Sequence, residues 1–130
     1  MEDICIMWFR QDLRLIDNPA LIEANNSGLN VLPIYILDDI NSGNWKIGSA
    51  SRWWLNESLK KLNSSLNDNL CFMNGDSINC LDKLTDSLNI KSVYFNKCYE
   101  PWRIKSDKEI IKKLSNKGIK AYSLSGSLLF

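Results

Sequence analysis

Short runs of consecutive apolar residues alternate along this chain with longer segments whose apolar residues return every three or four positions. The alternation runs from end to end without a low-complexity linker. Five strands are predicted: Ile4 to Phe9, Val31 to Leu37, Leu70 to Met73, Ser92 to Phe95 and Ile119 to Leu124. The first two are continuously apolar, as strands covered on both faces should be. Four helices are predicted between them, each with recognisable punctuation. The first follows Asp17 and Asn18, has Pro19 in its first turn, and ends near Gly28, which can take the left-handed cap conformation. The second opens around "GSAS" and carries Leu55, Leu59, Leu62 and Leu66 on one stripe. The third follows Asp76, a good N-cap residue, with Leu81, Leu84 and Leu88 inward. The fourth starts at Pro101 and closes with Lys112, Lys113 and Lys117 before Gly118, placing cations at the negative end of the helix dipole.

Strict strand–helix alternation with right-handed crossovers implies an α/β fold: a Rossmann-like, doubly wound, five-stranded parallel sheet with helices on both faces. The expected strand order is 3-2-1-4-5, with the flavodoxin-like order as the other candidate. Pro33 is in tension with this, because a proline inside strand two lacks the N–H of a ladder bond and by itself points to an edge or a bulge. The apolar run continues on both sides of it, and the doubly wound reading stands.

In such sheets ligands bind beyond the carboxyl ends of the strands. The residues that follow the strands are strongly polar there: "RQDLR" after strand one, Asp38 and Asp39 after strand two, Asn74 and Asp76 after strand three, and "NKCYEP" after strand four. Trp53 and Trp54 lie roughly 160° and 100° around the second helix from Leu55, off its leucine stripe and next to this rim. Exposed there, they would mark a ligand or partner surface; a helix bedded more deeply would bury one of them. Arg52 beside them could bind an anion or cover a ring. Leu128, Leu129 and Phe130 extend past the last strand, an apolar ending expected of a polypeptide cut from something longer or of a terminus packed on a partner.

Composition narrows the chemistry. The chain has 130 residues, enough for one domain with a real core and no room for a second. Its 16 basic and 15 acidic residues nearly cancel, so no overall field draws it to a polyanion. There is no histidine, which removes imidazole bases, Ser/His and Cys/His triads and nearly all catalytic zinc chemistry. The four cysteines form no CxxC pair, and Cys5 and Cys71 fall in apolar runs as small hydrophobes; a reduced, cytoplasmic protein is expected. No apolar stretch approaches the roughly 20 residues of a membrane span. Neither GxGxxG nor GxxxxGK[ST] is present, which weighs against a stand-alone nucleotide-binding module.

The connected series "WFRQDLRLIDNPAL" (8–21), "VLPIYILDD" (31–39), "GSASRWWLNESLKKLNSSL" (48–66), "NKCYEPW" (96–102) and "SLSGSLLF" (123–130) strongly resembles the N-terminal α/β domain of DNA photolyases and cryptochromes. The resemblance implies a single α/β domain over residues 1–130. It also implies a larger helical partner domain, not among these residues, that holds FAD, its tryptophan chain and the pocket for a flipped-out pyrimidine dimer. Damaged DNA would then be met only by the full-length protein, and the fragment alone would not be catalytic. For the α/β domain the resemblance implies an antenna chromophore. Glu100 matches the glutamate that helps to hold methenyltetrahydrofolate in folate-binding members, with Asn96 close by. Arg10 matches a position near the antenna in deazaflavin-binding and flavin-binding members, and Asp38 and Arg52 would line the same edge. Deazaflavin-binding relatives tend to carry an acid two places before the glutamate, where this chain has Cys98, so the folate is favoured over deazaflavin or FMN. The expected parent is a light-dependent deoxyribodipyrimidine photolyase; a cryptochrome-type photoreceptor is the alternative.

Overall fold

The computed structural model describes residues 3–10, 13, 15, 18–37, 49–97 and 101–124, apart from the side chains of 49–52. Its elements run β1 (Ile4–Phe9), α1 (Pro19–Asn26), β2 (Asn30–Leu37), α2 (Ser49–Ser65), β3 (Cys71–Asn74), α3 (Ser77–Ser87), β4 (Ile90–Asn96), α4 (Pro101–Asn116) and β5 (Lys120–Leu124). All four ladders are parallel and the strand order is β3-β2-β1-β4-β5, as the pattern predicts.

Successive residues of a strand point to opposite faces, and β1, central and covered on both sides, divides the core in two. Ile6 and Trp8 join Ile34, Ile36, Val93 and Phe95 on the face covered by α3 and α4, through Leu81, Ile110 and Leu114. Cys5, Met7 and Phe9 join Tyr35 and Tyr94 on the other face, covered by Ala20, Leu21 and Ala24 of α1 and by Leu59 and Leu62 of α2. Each of those two buried leucines contributes roughly 1.5–3 kcal/mol of transfer free energy. Leu55 and Leu66 flank them, half-buried, so the predicted stripe is the packed face. Cys5, Cys71 and Cys80 are free thiols: Cys5 is buried in β1, Cys71 half-buried in β3 and Cys80 buried in α3.

Pro33 is accommodated by register. It pairs with Met7 of β1, whereas the β3 ladder starts one residue later, at Ile34↔Cys71. On that side β2 is locally an edge, and the missing N–H removes no rung. Gly28 and Gly118 end α1 and α4 with φ of +79° and +78°, the left-handed conformation that glycine adopts without penalty. Four strands differ from the expected bounds by one or two residues: β2 begins at Asn30, β3 runs from Cys71 to Asn74, β4 from Ile90 to Asn96, and β5 begins at Lys120. β4 begins at Ile90, two residues before the predicted start, because exposed Lys91 interrupts the apolar run while the backbone already pairs with β1. Asp76 takes the N-cap position of α3 with extended backbone but without the side-chain capping bond that its residue type predicts. Among the described residues no helix is long and apolar enough to cross a membrane.

Candidate functional site

The carboxyl rim is organised around the residue that leaves β1. Arg10 is 4% exposed. One terminal nitrogen of its guanidinium donates to Asp107 Oδ1 of α4 at 2.6 Å, and the other donates to the carbonyl oxygen of Asn96, the last residue of β4, also at 2.6 Å. The guanidinium carbon lies 4.9 Å from the Trp8 ring centroid and 4.7 Å from that of Phe95. A planar cation suits this slot, since it can meet a carboxylate and a carbonyl in its plane while its faces rest on aromatic rings.

Asn96 carries the framework across to α1. Its side-chain oxygen accepts from the Ala20 N–H at 3.1 Å, and its side-chain nitrogen donates to Asn18 Oδ1 at 2.7 Å. The same Asn18 oxygen, at the N-cap of α1, accepts from the Leu21 N–H. Two of the orphan N–H groups of the first helical turn are therefore satisfied by side chains, one of them from a different element. Asn18 and Asn96 are both buried, so these bonds also meet the requirement that buried polar groups be paired.

Arg10 and Asn96 are thus brought together, with these polar atoms engaged inside the fold. Trp53 and Trp54 are 56% and 67% exposed, as their angular placement on α2 predicts, and pack edge to face at 5.1 Å. Arg52 belongs to α2, but its side chain lies outside the described residues, as do Asp38, Cys98, Glu100, Leu128, Leu129 and Phe130. In the first turn of α4 the Arg103 guanidinium lies 4.4 Å from the Trp102 ring. Among the described residues no group of His, Cys, Asp or Glu is arranged to hold a metal ion.

Asp107 is the member that reading the sequence for rim loops misses, because it lies inside a helix. A signal was present: Asp107, Ile110 and Leu114 recur at offsets of three and four, and all are buried. A carboxylate on the apolar stripe of a helix requires a cation opposite.

A family model described as DNA photolyase matches residues 5–130. The deoxyribodipyrimidine photo-lyase of Agrobacterium fabrum is 39% identical over 127 residues, covering 95% of this chain and 26% of that protein. Cryptochrome-2 of Arabidopsis thaliana is 34% identical over 134 residues, covering 100% of this chain and 22% of that protein. The crystal structure of a bacterial class III photolyase from Agrobacterium tumefaciens superposes with a TM-score of 0.86 at 34% identity, over 95% of this chain and 26% of the other. The chain therefore spans about a quarter of the length of the relatives it matches. With the five-stranded order, the buried arginine rim and this match over nearly the whole length together, the chain belongs to the DNA photolyase family.

Proposed function

We propose that this chain is the antenna-chromophore domain of a light-driven deoxyribodipyrimidine photolyase, acting beside an FAD-binding helical domain of the intact protein that carries out repair of pyrimidine dimers in DNA. The observation that carries this reading is the exposed indole pair Trp53 and Trp54 beside a rim whose polar groups are bound to one another. An antenna pigment supplies light absorption and excitation transfer, which depend on distance and orientation and need no acid or base from the protein. The residues required are those that hold a ring still and keep water away. In this reading Glu100 holds methenyltetrahydrofolate with Asn96 close by, and Arg10, Asp38, Arg52 and Cys98 lie on the same edge. Arg10 and Asn96 act mainly by fixing the backbone at the exit of β4. The indole pair, with Leu128, Leu129 and Phe130, offers the apolar surface to be covered by pigment or helical domain. The protein works in the cytoplasm with reduced thiols.

Titration of the purified chain with methenyltetrahydrofolate, a deazaflavin, FMN and ATP, followed by pigment absorption and indole fluorescence, tests this. Saturable folate binding with quenching of the exposed indoles is the expected result. Tight ATP binding with no pigment response would instead identify a nucleotide-binding module. Light-dependent dimer reversal by the chain alone would overturn the division of labour.

A cryptochrome-type photoreceptor is the second reading, favoured by the 34% identity to Arabidopsis cryptochrome-2 across the whole chain. Dimer repair by the full-length protein under blue light decides between the two.

A further inference from the structure

β3 is a four-residue edge strand with a single ladder, to β2, and its last pair is Leu37↔Asn74. The leucine stripe of α2 covers β2 and stops short of β3, which leaves Phe72 52% exposed and a cavity of about 400 Å³ beside it, with Asn74 in its lining. Asn74 is itself exposed, and among the described residues its side-chain amide has no hydrogen-bond partner. The next residue is Gly75, and of all the asparagines in the chain Asn74 alone precedes a glycine.

The side-chain carbonyl of an asparagine can be reached by the backbone nitrogen of the following residue, closing a five-membered ring, and the following side chain is what usually crowds that approach. Gly75 has none, and the atom nearest to where its Cβ would stand is Cys80 Sγ at 4.0 Å. What restrains the nitrogen in the folded chain is a hydrogen bond, since the Gly75 N–H donates to the Leu37 carbonyl oxygen at 3.0 Å. That bond closes the β2–β3 ladder, and a short edge strand with half its side chains exposed opens for a small part of the global unfolding free energy. Asn26 and Asn63, which precede serines, are placed differently: both lie in helices, and Asn63 Oδ1 accepts from the Leu70 N–H.

We propose that Asn74–Gly75 is a site of spontaneous deamidation, controlled by opening of the β3 edge. When the Gly75–Leu37 bond breaks, hydroxide takes the Gly75 amide proton and the nitrogen attacks the Asn74 side-chain carbonyl carbon. A C–N bond forms to close a succinimide, and the side-chain nitrogen leaves as ammonia, taking a proton from water and so regenerating the hydroxide. Water then opens the ring at either carbonyl, giving aspartate or isoaspartate at position 74. No electron is transferred, and water is the one reagent consumed. Both products put a carboxylate two residues ahead of Asp76 at the N-cap of α3, and isoaspartate also lengthens the main chain by one carbon at the final rung of the ladder. The reaction needs neither pigment nor a second domain, so this site stands or falls independently of the antenna reading.

The test is ageing of the purified chain in mildly alkaline buffer, native and in guanidinium chloride, with peptide mapping by mass spectrometry and labelling by an isoaspartyl methyltransferase. The expected product is an acidic form that maps to position 74, contains both aspartate and isoaspartate, and accumulates ahead of change at every other asparagine. The native chain should react roughly tenfold to a hundredfold more slowly than the denatured one. Hydrogen-exchange protection of the Gly75 amide should match that slowing within about threefold, because one opening exposes the nitrogen to both reactions. Asn74→Gln, which cannot close the five-membered ring, should abolish the acidic form; the residue is exposed, and a dispersed NMR spectrum verifies that the variant folds. No product at position 74 in the native chain, product spread evenly over the asparagines, or an acidic form that persists in Asn74→Gln overturns the site. Equal rates in the native and denatured chain, or Gly75 protection far above the slowing, overturns its control by the β3 edge.

Discussion

Arg10 and Asp107, 97 positions apart in the chain, meet in a buried ion pair at 2.6 Å with side-chain exposures of 2% and 12%. Burying both charges gains little over an apolar pair, but removing one partner strands the other in a low-dielectric site. Arg10→Met or Asp107→Leu should therefore each cost about 3–5 kcal/mol, whereas the double variant should recover most of the loss. Urea unfolding of the three variants checks this. Single-variant losses below about 1 kcal/mol would show the pair to be solvent-screened.

Asn96 serves two elements at once, accepting from the Ala20 N–H and donating to Asn18. Asn96→Ala should cost about 1–3 kcal/mol, and Asn18→Ala about 0.5–2 kcal/mol. The two losses should not add, because the variants share one hydrogen bond. Hydrogen exchange at the amides of Ala20 and Leu21 should speed up selectively in both variants, and unchanged exchange there would exclude the capping role.

The tryptophans divide by environment. Trp8 is 3% exposed and packs edge-on against Phe95 at 5.4 Å, so Trp8→Ala should destabilise by about 3–5 kcal/mol. Trp53→Ala and Trp54→Ala should stay within about 0.5 kcal/mol of the parent. Acrylamide should quench the emission lost in the latter two variants and spare that of Trp8. Strong destabilisation by either exposed substitution would mean that its ring is buried in solution.

Lys117, just past α4, reaches Asp82 Oδ1 at 2.6 Å and Asp86 Oδ1 at 2.9 Å on α3. The hydrogen bond from Lys117 holds the Asp82 carboxyl below the ordinary aspartate range, and bonds to Asp82 and then Asp86 hold the Lys117 ammonium above the usual lysine range. The depressed carboxylate stabilises the fold above its unfolded pKa, and this is lost as pH falls through the lower folded value. The raised ammonium stabilises it below its unfolded pKa, and this is lost as pH rises through the higher folded value. NMR titration should show the Asp82 midpoint move up in Lys117→Ala, and added salt should shrink the difference because the groups are exposed. An unmoved midpoint would dissociate Asp82 from Lys117.

Elements were legible because their causes are local. Leucines at offsets of three and four mark the inner face of α2, and the same angles place Trp53 and Trp54 outside. Asn18 and Pro19 mark the start of α1, and a capping bond is made there; Asp76 marks the start of α3 with no such bond, since residue type predicts a capping position better than the contact itself. Pro33 could be judged only once the register showed where the β3 ladder begins. The "RQDLR" turn was visible as a polar exit from an apolar strand, but its arginine could have faced water.

What the sequence by itself determined is the order and kind of the elements, the two-faced core and the family, because periodicity, turn chemistry and motif series are properties of neighbours along the chain. Only the tertiary structure decided that Arg10 turns inward to Asp107 and the Asn96 carbonyl, and that α2 leaves Phe72 and a cavity uncovered at the β3 edge. Those relations depend on how far strands slide and helices reach across a sheet, distances fixed by packing among residues remote in sequence.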